Sequence, residues 1–137
     1  MKKITYLATP YTHKDHYMMV ARFMLVNIVA AKLMSEGVYV YSPISHTHPL
    51  AEVSDGKLPR EWSFWEGYDT AILSNCEKLF VLMLPGWETS TGVQAEIKIA
   101  EKMGIPTEYI KFENMQNYEY VVELCKSNDL KERKASS

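Results

Sequence analysis

Cysteine is scarce in this chain, with only Cys76 and Cys125 among 137 residues. Two cysteines that lie far apart form neither a disulfide framework nor a Cys-x-x-Cys metal site. The pattern is typical of two reduced thiols in a cytoplasmic protein. The length suits a single domain, and an apolar content of 47% is ample for one core.

Net charge and long apolar runs are lacking as well. A formal net charge of −2 gives no global electrostatic argument for binding nucleic acid or an anionic membrane. The apolar run after residues 1–4 is soon interrupted by Thr9, Pro10 and Tyr11, and no stretch approaches the ~20 apolar residues that span a bilayer. We therefore expect a cytoplasmic domain with no nucleic-acid or membrane partner.

The glycine-rich motifs of nucleotide-binding folds are also absent. The sequence has neither a GxxxxGK[ST] loop nor a GxGxxG loop. Gly86 and Gly92 flank a turn that lacks the lysine of a Walker loop. ATP hydrolysis and dinucleotide redox chemistry are therefore disfavoured, and we expect no cofactor.

The chain does contain an alternation of β-prone runs and helical stretches. The predicted strands are residues 4–8, 38–41, 79–84 and 105–110, and the predicted helices are residues 20–36, 60–74, 90–103 and 114–126. This order predicts a single-domain, three-layer α/β/α fold over residues 1–126. Its sheet is expected to be mainly parallel, with four to five strands, in the flavodoxin or Rossmann-like manner. Residues 127–137 have almost no apolar content and are predicted to form a disordered tail.

Three loops of this fold should lie together. Right-handed crossovers place the loops after the first three strands, residues 9–16, 42–48 and 85–96, at one edge of the sheet. These loops carry almost every unusual polar residue of the chain. Residues 44–59 are expected to be a long irregular segment, and loops of that length are usually functional or mobile. The pattern predicts a ligand cleft at the carboxyl ends of the strands.

Glu96 and Asp69 are the acidic candidates for chemistry in that cleft. Glu96 falls on the first or second turn of the helix after the central strand, where Gly92 allows a close approach of the chain or a ligand. A carboxylate in a cleft can attack an anomeric carbon, and a second can handle protons or hold the first in place. Spacing alone also allows Glu96 to be a solvated helix charge, and it favours Asp69 as an exposed helical residue or a cap.

The histidines are the candidates for a metal site. All of them precede residue 49, at positions His13, His16, His46 and His48. The His-x-His pair is chemically able to bind zinc, but no acidic or cysteine ligand stands at a fixed offset. Imidazoles that hydrogen-bond a ligand, or plain surface histidines, explain the pattern better, and no metal is assigned.

Ser90, Thr91 and Gly92 begin a helix that can hold one phosphate through its backbone amides and hydroxyls. Ordinary capping explains the same three residues. Aromatic side chains that can stack on a base or a sugar are Tyr6, Tyr11, Trp65 and Trp87. Packing is the commoner role of aromatics so close to core strands, and we expect it of Trp62 and Trp65.

Several of these stretches together resemble the nucleoside 2-deoxyribosyltransferase-like proteins. Residues 6–11 (Tyr-Leu-Ala-Thr-Pro-Tyr) resemble the first strand of that family, and residues 40–43 (Val-Tyr-Ser-Pro) resemble its second. Residues 90–96 (Ser-Thr-Gly-Val-Gln-Ala-Glu) resemble its S/D-x-G-x-x-x-E signature, and Asp69 precedes the central strand as the family's aspartate does. The resemblance covers about residues 4–110. It is closest to a small phage and bacterial branch of uncharacterised members.

The resemblance implies an enzyme that cleaves the N-glycosidic bond of a 2′-deoxynucleoside or its 5′-monophosphate, by hydrolysis or base transfer. Glu96 matches the nucleophile that forms a covalent ester with the sugar. Asp69 matches the aspartate that contacts the base or assists its protonation. Tyr6 matches the tyrosine that positions the nucleophile.

Ser90 bears on the choice of substrate within that family. The transferases carry an aspartate at this place, whereas the related 2′-deoxynucleoside 5′-monophosphate N-glycosidases carry a serine that helps to bind the phosphate. The resemblance therefore favours a 5′-monophosphate. The first loop has no clear equivalent of the phosphate-binding arginine of those N-glycosidases, and the candidates to replace it are His13, His16, Lys14 and His46.

The resemblance also implies a set of substrate contacts and an assembly. The expected substrate-binding residues are Thr9, Pro10, Tyr11, His13, Ser42, Pro43, His46, Trp87, Ser90 and Gly92. Relatives form dimers or larger assemblies in which a neighbouring subunit completes the site, so a homo-oligomer, dimer or tetramer, is expected. Two other classes stay open: a nucleotide or sugar-nucleotide binding protein that acts as a sensor or sponge, and a metal-assisted hydrolase built on the histidine loops.

Overall fold

Short parallel strands form one sheet at the centre of the structure, a computed structural model that describes residues 3–136. The strands within these residues are β1 (Thr5–Ala8), β2 (Val40–Tyr41), β3 (Lys78–Leu82) and β4 (Thr107–Ile110). They lie in the order β2-β1-β3-β4, and every pair is parallel. β1 is buried at all its positions, as expected of a central strand that is covered on both faces.

Helices cover both faces of this sheet. They are α1 (His16–Ser35), α2 (Pro43–Val53), α3 (Trp62–Leu73), α4 (Thr91–Met103) and α5 (Met115–Ser136). Successive side chains of a strand point to opposite faces, so β1 contributes Leu7 to a core with α1 and α5, and Tyr6 and Ala8 to a core with α3 and α4. The predicted single-domain, three-layer α/β fold of the Rossmann-like type is confirmed.

The expectation that residues 44–59 are irregular is wrong for most of that segment, because α2 occupies Pro43–Val53. The Ser42 hydroxyl accepts a hydrogen bond from the backbone amide of Ser45 and caps the helix. Pro43 stands in the first turn, where a missing amide costs nothing. The connection to α3 is therefore only residues 54–61.

The expected disordered tail is also wrong where the structure describes it, because α5 continues to Ser136. Residues 127–136 are rich in good helix formers, and Asp129 pairs with Arg133 one turn later at 3.2 Å. The prediction weighed apolar content alone and neglected helix propensity. Ser137 lies outside the described residues.

α1 is long and apolar enough to cross a membrane by length and composition alone, contrary to the expectation that no stretch approaches the ~20 apolar residues that span a bilayer. Its buried residues are Met19, Ala21, Arg22, Leu25, Val26 and Ala30. This helix packs against α5 and carries a buried arginine, which is costly in a bilayer. Its packing is typical of the core helix of a soluble domain. A cytoplasmic location remains a prediction.

Arg22 joins two loops at the carboxyl edge of the sheet. Its Nη1 donates to the backbone carbonyls of Tyr11 and Thr12, both at 3.2 Å, and its Nη2 donates to that of Pro85 at 3.3 Å. The side chain is 8% exposed, and burial lowers the pKa of the guanidinium. The loop after β1 is thereby held against the loop after β3.

Gly86 lets Arg22 make this contact. Its φ is +97°, and a Cβ at this position would lie 2.7 Å from Arg22 Nη2. We expect Gly86→Ala to lower the free energy of unfolding by about 3 kcal/mol, because it adds left-handed strain and displaces the guanidinium from the Pro85 carbonyl. Urea unfolding followed by circular dichroism measures the loss.

Gly104→Ala is the matched control for that prediction. Gly104 has φ +71° and no atom within 4 Å of an added Cβ. Gly104→Ala should therefore lower the free energy of unfolding only by the left-handed strain, about 1 kcal/mol. Equal losses in the two variants would show that the Arg22 contact contributes nothing.

Candidate active site

A cleft of about 490 Å³ opens at the carboxyl edge of the sheet. As predicted, the loops after β1, β2 and β3 meet there. Its lining comes from residues 8–12, from the first turns of α2, from residues 60–69 and from residues 89–96. α3 forms a wall of the cleft because it packs beside α4, and it contributes Asp69 and Trp65, which the sequence analysis names as candidates.

Glu96 lies at the bottom of this cleft, bound to Tyr6. Val93, Glu96 and Ala100 are the buried residues of α4, at the spacing of one helix face. This face turns toward the sheet, so the glutamate occupies a core position and is 5% exposed. The Tyr6 hydroxyl, from the fully buried side chain on β1, donates to Glu96 Oε2. The alternative of a solvated helix charge is therefore wrong for Glu96.

Burial dominates the titration of this pair. It raises the pKa of Glu96 to about 8, and the nearby charge of Asp69 adds to the rise, while the hydrogen bond from Tyr6 opposes it. Burial and the Glu96 charge also raise the pKa of Tyr6 far above its usual value. Tyr6 therefore keeps its proton and remains the donor.

Asp69 is a second buried carboxyl group in the lining. It lies on α3, is 7% exposed, and has its pKa raised to about 6 by burial. Its Oδ1 is buried without a hydrogen-bond partner in the structure. Such a group is costly unless a ligand or water satisfies it, which is common at functional sites. The alternative of an exposed aspartate is wrong.

Half of the expected substrate-binding residues line the cleft. These are Thr9, Tyr11, Pro43, Ser90 and Gly92. The Thr9 hydroxyl is buried without a partner in the structure, and Ser90 caps α4 by accepting from the Val93 amide at 3.3 Å. A Cβ on Gly92 would lie 3.4 Å from the Trp62 ring, an ordinary van der Waals contact, so Trp62 packs over the start of α4 without requiring glycine there. Trp62 and Trp65 themselves line the cleft.

The other expected contacts are not among the described lining residues. The expected contacts that lie outside the described lining are Pro10, His13, Ser42, His46 and Trp87. Ser42 caps α2, His46 stacks on Tyr68 with ring centroids 6.4 Å apart, and Trp87 packs on Tyr109. Pro10 is fully buried, and the His13 ring accepts from the Asp15 amide at 3.0 Å.

The histidines do not converge as metal ligands. Within residues 3–136, no group of three or more histidine, cysteine, aspartate or glutamate side chains is arranged to hold a metal ion. His13 and His46 each have separate neighbours, whereas His16 and His48 both contact Glu52. The metal-assisted alternative therefore has no support from the described geometry.

A ring of hydrogen bonds beside the cleft was missed by the sequence reasoning. Arg60 Nη1 donates to the Tyr11 hydroxyl, which must then donate its own proton to His48 Nδ1 at 2.6 Å. His48 thus carries its proton on Nε2, which lies 3.2 Å from Glu52 Oε1. Glu52 Oε2 lies 3.3 Å from Arg60 Nη2 and closes the ring.

His48 stays neutral inside this ring. It is buried and stacks on Phe23 at 4.4 Å between ring centroids, and burial lowers its pKa to about 4. The i,i+4 spacing of His48 and Glu52 was the available signal. This spacing brings two side chains together only in a helix, and residues 44–59 are expected from the sequence to be irregular. The Ser42-Pro43 pair is a helix-capping pattern that indicates the helix.

The arrangement has the parts of a covalent displacement site. Glu96 and Asp69 are two carboxyl groups whose environments set their pKa values apart, at about 8 and about 6. Such pairs divide nucleophilic and proton-handling roles in many active sites. Trp62 and Trp65 add flat apolar surface for a ring-shaped ligand.

The burial of Glu96 predicts a measurable effect on stability. Its pKa is about 8 in the folded chain against 4.5 unperturbed, so folding favours the protonated form. Wild-type stability should therefore fall as the pH rises through this interval. Glu96→Gln cannot lose a proton, and we expect wild type to lose about 2 kcal/mol of stability relative to this variant between pH 6.5 and 8.

Urea unfolding between pH 6.5 and 8 tests this expectation, since the Asp69 pKa of about 6 lies below that window. Glu101→Gln, at an exposed position of α4, is the control and should leave the pH dependence unchanged. The same pH slope in wild type and Glu96→Gln would contradict the raised pKa.

One family model matches the chain, over residues 3–111, and is described as a domain of unknown function, DUF1937. The matched segment runs from the residue before Ile4 to just beyond β4 and includes every described lining residue of the cleft. No curated protein matches the chain. The chain belongs to the DUF1937 family.

Proposed function

We propose that this protein cleaves the N-glycosidic bond of a 2′-deoxynucleoside or its 5′-monophosphate through an ester between the sugar and Glu96. The observation that carries the proposal is a glutamate buried at the bottom of the cleft with the Tyr6 hydroxyl bound to one of its oxygens. The sequence resemblance to nucleoside 2-deoxyribosyltransferase-like proteins assigns the same two residues. The protein is then a hydrolase or a transferase of deoxyribonucleotide metabolism.

In the first step, Glu96 forms a bond to the anomeric carbon as the bond from that carbon to the base nitrogen breaks. The electron pair of the broken bond goes to the base, which needs a proton to leave as a neutral molecule. Asp69 supplies this proton, because its raised pKa keeps a useful protonated fraction near neutral pH. Tyr6 holds Oε2, which leaves Oε1 to face the sugar.

In the second step, water or a second base attacks the anomeric carbon and displaces the Glu96 carboxylate. The attacking group gives its proton to the Asp69 carboxylate, which restores both residues to their starting states. Water yields the free sugar and hydrolysis. A second base yields a new nucleoside and transfer.

The raised pKa of Glu96 sets the conditions for this chemistry. With a pKa of about 8, only about a tenth of the empty protein is ionised at Glu96 at pH 7. The ionised fraction is poorly hydrated, and a carboxylate stripped of water needs less reorganisation when it attacks. The first step also needs the proton of Asp69, whose pKa is about 6, so activity should be greatest between the two pKa values, near pH 7, and fall on either side.

The cleft suits a nucleoside in size and surface. About 490 Å³ falls within the range of sites for small molecules. Trp62 and Trp65 offer faces for a base, while Thr9 and Asp69 offer polar atoms without partners in the structure. Phe64 and Tyr68 are exposed on α3, next to these walls, which is compatible with a neighbouring copy that completes the site in a homo-oligomer.

Binding without turnover is the second candidate function. It is favoured by the protonated state of Glu96 near neutral pH, since a neutral carboxyl group binds a hydroxyl well but attacks carbon poorly. Chromatography for free base, run beside calorimetry of the same nucleosides, separates the two candidates. Tight binding with no product selects the sensor or sponge.

Base release from the four common 2′-deoxynucleosides and their 5′-monophosphates tests the proposal. We expect wild type to release base from at least one of them and Glu96→Gln to lose at least about a thousandfold in rate, because the nucleophile is removed. Glu101→Gln removes an exposed charge from the same helix and should keep the wild-type rate. Normal turnover by Glu96→Gln would exclude the covalent mechanism.

Tyr6→Phe should shift the pH profile of base release. The hydrogen bond from Tyr6 lowers the Glu96 pKa, so its loss raises this pKa above 8. The active fraction, with Glu96 ionised and Asp69 protonated, then falls about tenfold at pH 7, and the optimum of kcat/KM moves to higher pH. Tyr41→Phe is the control, because Tyr41 lies beside Tyr6, with ring centroids 6.0 Å apart, and makes no described bond to Glu96. An equal shift in both variants would contradict the role of Tyr6.

A further inference from the structure

The charge of the cleft is strongly one-sided. Among the described residues that line it, Arg60 is the only cation. The acidic residues of the same lining are Glu61, Glu66, Asp69 and Glu96. Within the described lining, a cationic side chain for a phosphate group can therefore come only from Arg60.

Arg60 is already committed to partners within the protein. Its Nη2 lies 3.3 Å from Glu52 Oε2, and its Nη1 donates to the Tyr11 hydroxyl. Its backbone carbonyl accepts from the Thr12 hydroxyl at 2.7 Å, which fixes the chain on which the side chain stands. The guanidinium is thus held against a carboxylate that lies outside the cleft lining.

Glu52 is itself held from the opposite side. His16 Nε2 and His48 Nε2 lie 2.6 Å and 3.2 Å from its Oε1. Burial opposes its charge, but the hydrogen bond from His16 and the charges of His16 and Arg60 outweigh burial and keep the pKa of Glu52 below its usual value. Glu52 is therefore a fixed anion at neutral pH.

We propose that Glu52 is a specificity-determining residue that, as the internal counter-ion of Arg60, makes the cleft select a 2′-deoxynucleoside over its 5′-monophosphate. This inference rests on the proposed function and narrows its substrate class. A phosphate that binds Arg60 either displaces Glu52 or shares the guanidinium with it, and in both cases the Glu52 carboxylate faces a second anion. It also enters a cleft that already holds Glu61 and Glu66.

This selection departs from what Ser90 suggests in the sequence. A serine at this place favours a monophosphate by resemblance, yet its hydroxyl accepts from the Val93 amide as the cap of α4. Arg60 is the only cation among the described lining residues that is available to support a phosphate at Ser90. The pairing of Arg60 with Glu52 and the acidic lining therefore decide the preference between nucleoside and monophosphate more strongly than Ser90 does.

Calorimetric titration of the full chain tests the proposal. The ligands are 2′-deoxyadenosine, its 5′-monophosphate and inorganic phosphate, and all variants carry Glu96→Gln so that no ligand is consumed. With Glu52 intact, we expect the nucleoside to bind at least as tightly as the monophosphate. Glu52→Gln should raise the affinity for the monophosphate, relative to the nucleoside, by about tenfold, and should make binding of inorganic phosphate measurable.

Two controls assign the effect to the Arg60 pair. Glu61→Gln removes one negative charge of the cleft lining that is not the Arg60 partner, and should change the ratio by less than about threefold. Adding Arg60→Gln to Glu52→Gln should abolish the gain. If Glu52→Gln does not fold, Glu52→Asp retracts the carboxylate by one methylene and should shift the ratio in the same direction.

The proposal would be overturned by a monophosphate preference above tenfold with Glu52 intact, by an unchanged ratio in Glu52→Gln, or by an equal shift in Glu61→Gln. Absence of phosphate and monophosphate binding to Glu52→Gln would do the same. Base release is not part of these readouts. A selectivity shift without any base release in wild type leaves the Glu52 inference standing and rejects the proposed chemistry, whereas base release without the shift does the reverse.

Discussion

The hydrogen bond between Tyr6 and Glu96 joins β1 to α4, and the cleft is organised around it. Tyr6 points from β1 toward the layer of α3 and α4 because Leu7 takes the opposite face. A carboxyl group at this depth costs several kcal/mol when ionised, and one hydrogen bond offsets only part of that cost. Glu96 therefore occupies a core position mostly in its protonated, neutral form near neutral pH.

Arg22 and Arg60 have different roles around the Tyr6–Glu96 pair. Arg22 is buried and donates only to backbone carbonyls, so it fixes the loops that form the rim of the cleft. Arg60 lies in the rim itself and is balanced by Glu52. The first residue sets the shape of the cleft, whereas the second, with its counter-ion, sets the charge that a ligand meets.

Regular patterns made much of the fold and part of the site predictable. Alternating strands and helices, together with crossover handedness, indicated the parallel sheet and the edge at which Glu96 lies. The burial of Asp69 depends on how α3 packs beside α4, which spacing does not encode. The ring through Tyr11, His48, Glu52 and Arg60 joins residues up to 49 positions apart. The pairing of His48 with Glu52 in this ring depends on α2 being a helix, which the sequence analysis does not predict.

α5 lies beyond the segment that the DUF1937 model matches, yet it is part of the core. It supplies Val121 and Cys125 to the cluster around Leu7 and Leu25, and it covers much of α1. A chain that stopped at residue 111 would leave the apolar face of α1 in water, and burial of such a face is the main source of stability in a domain of this size. The segment that the family model matches therefore ends before the segment that the chain needs for a stable core.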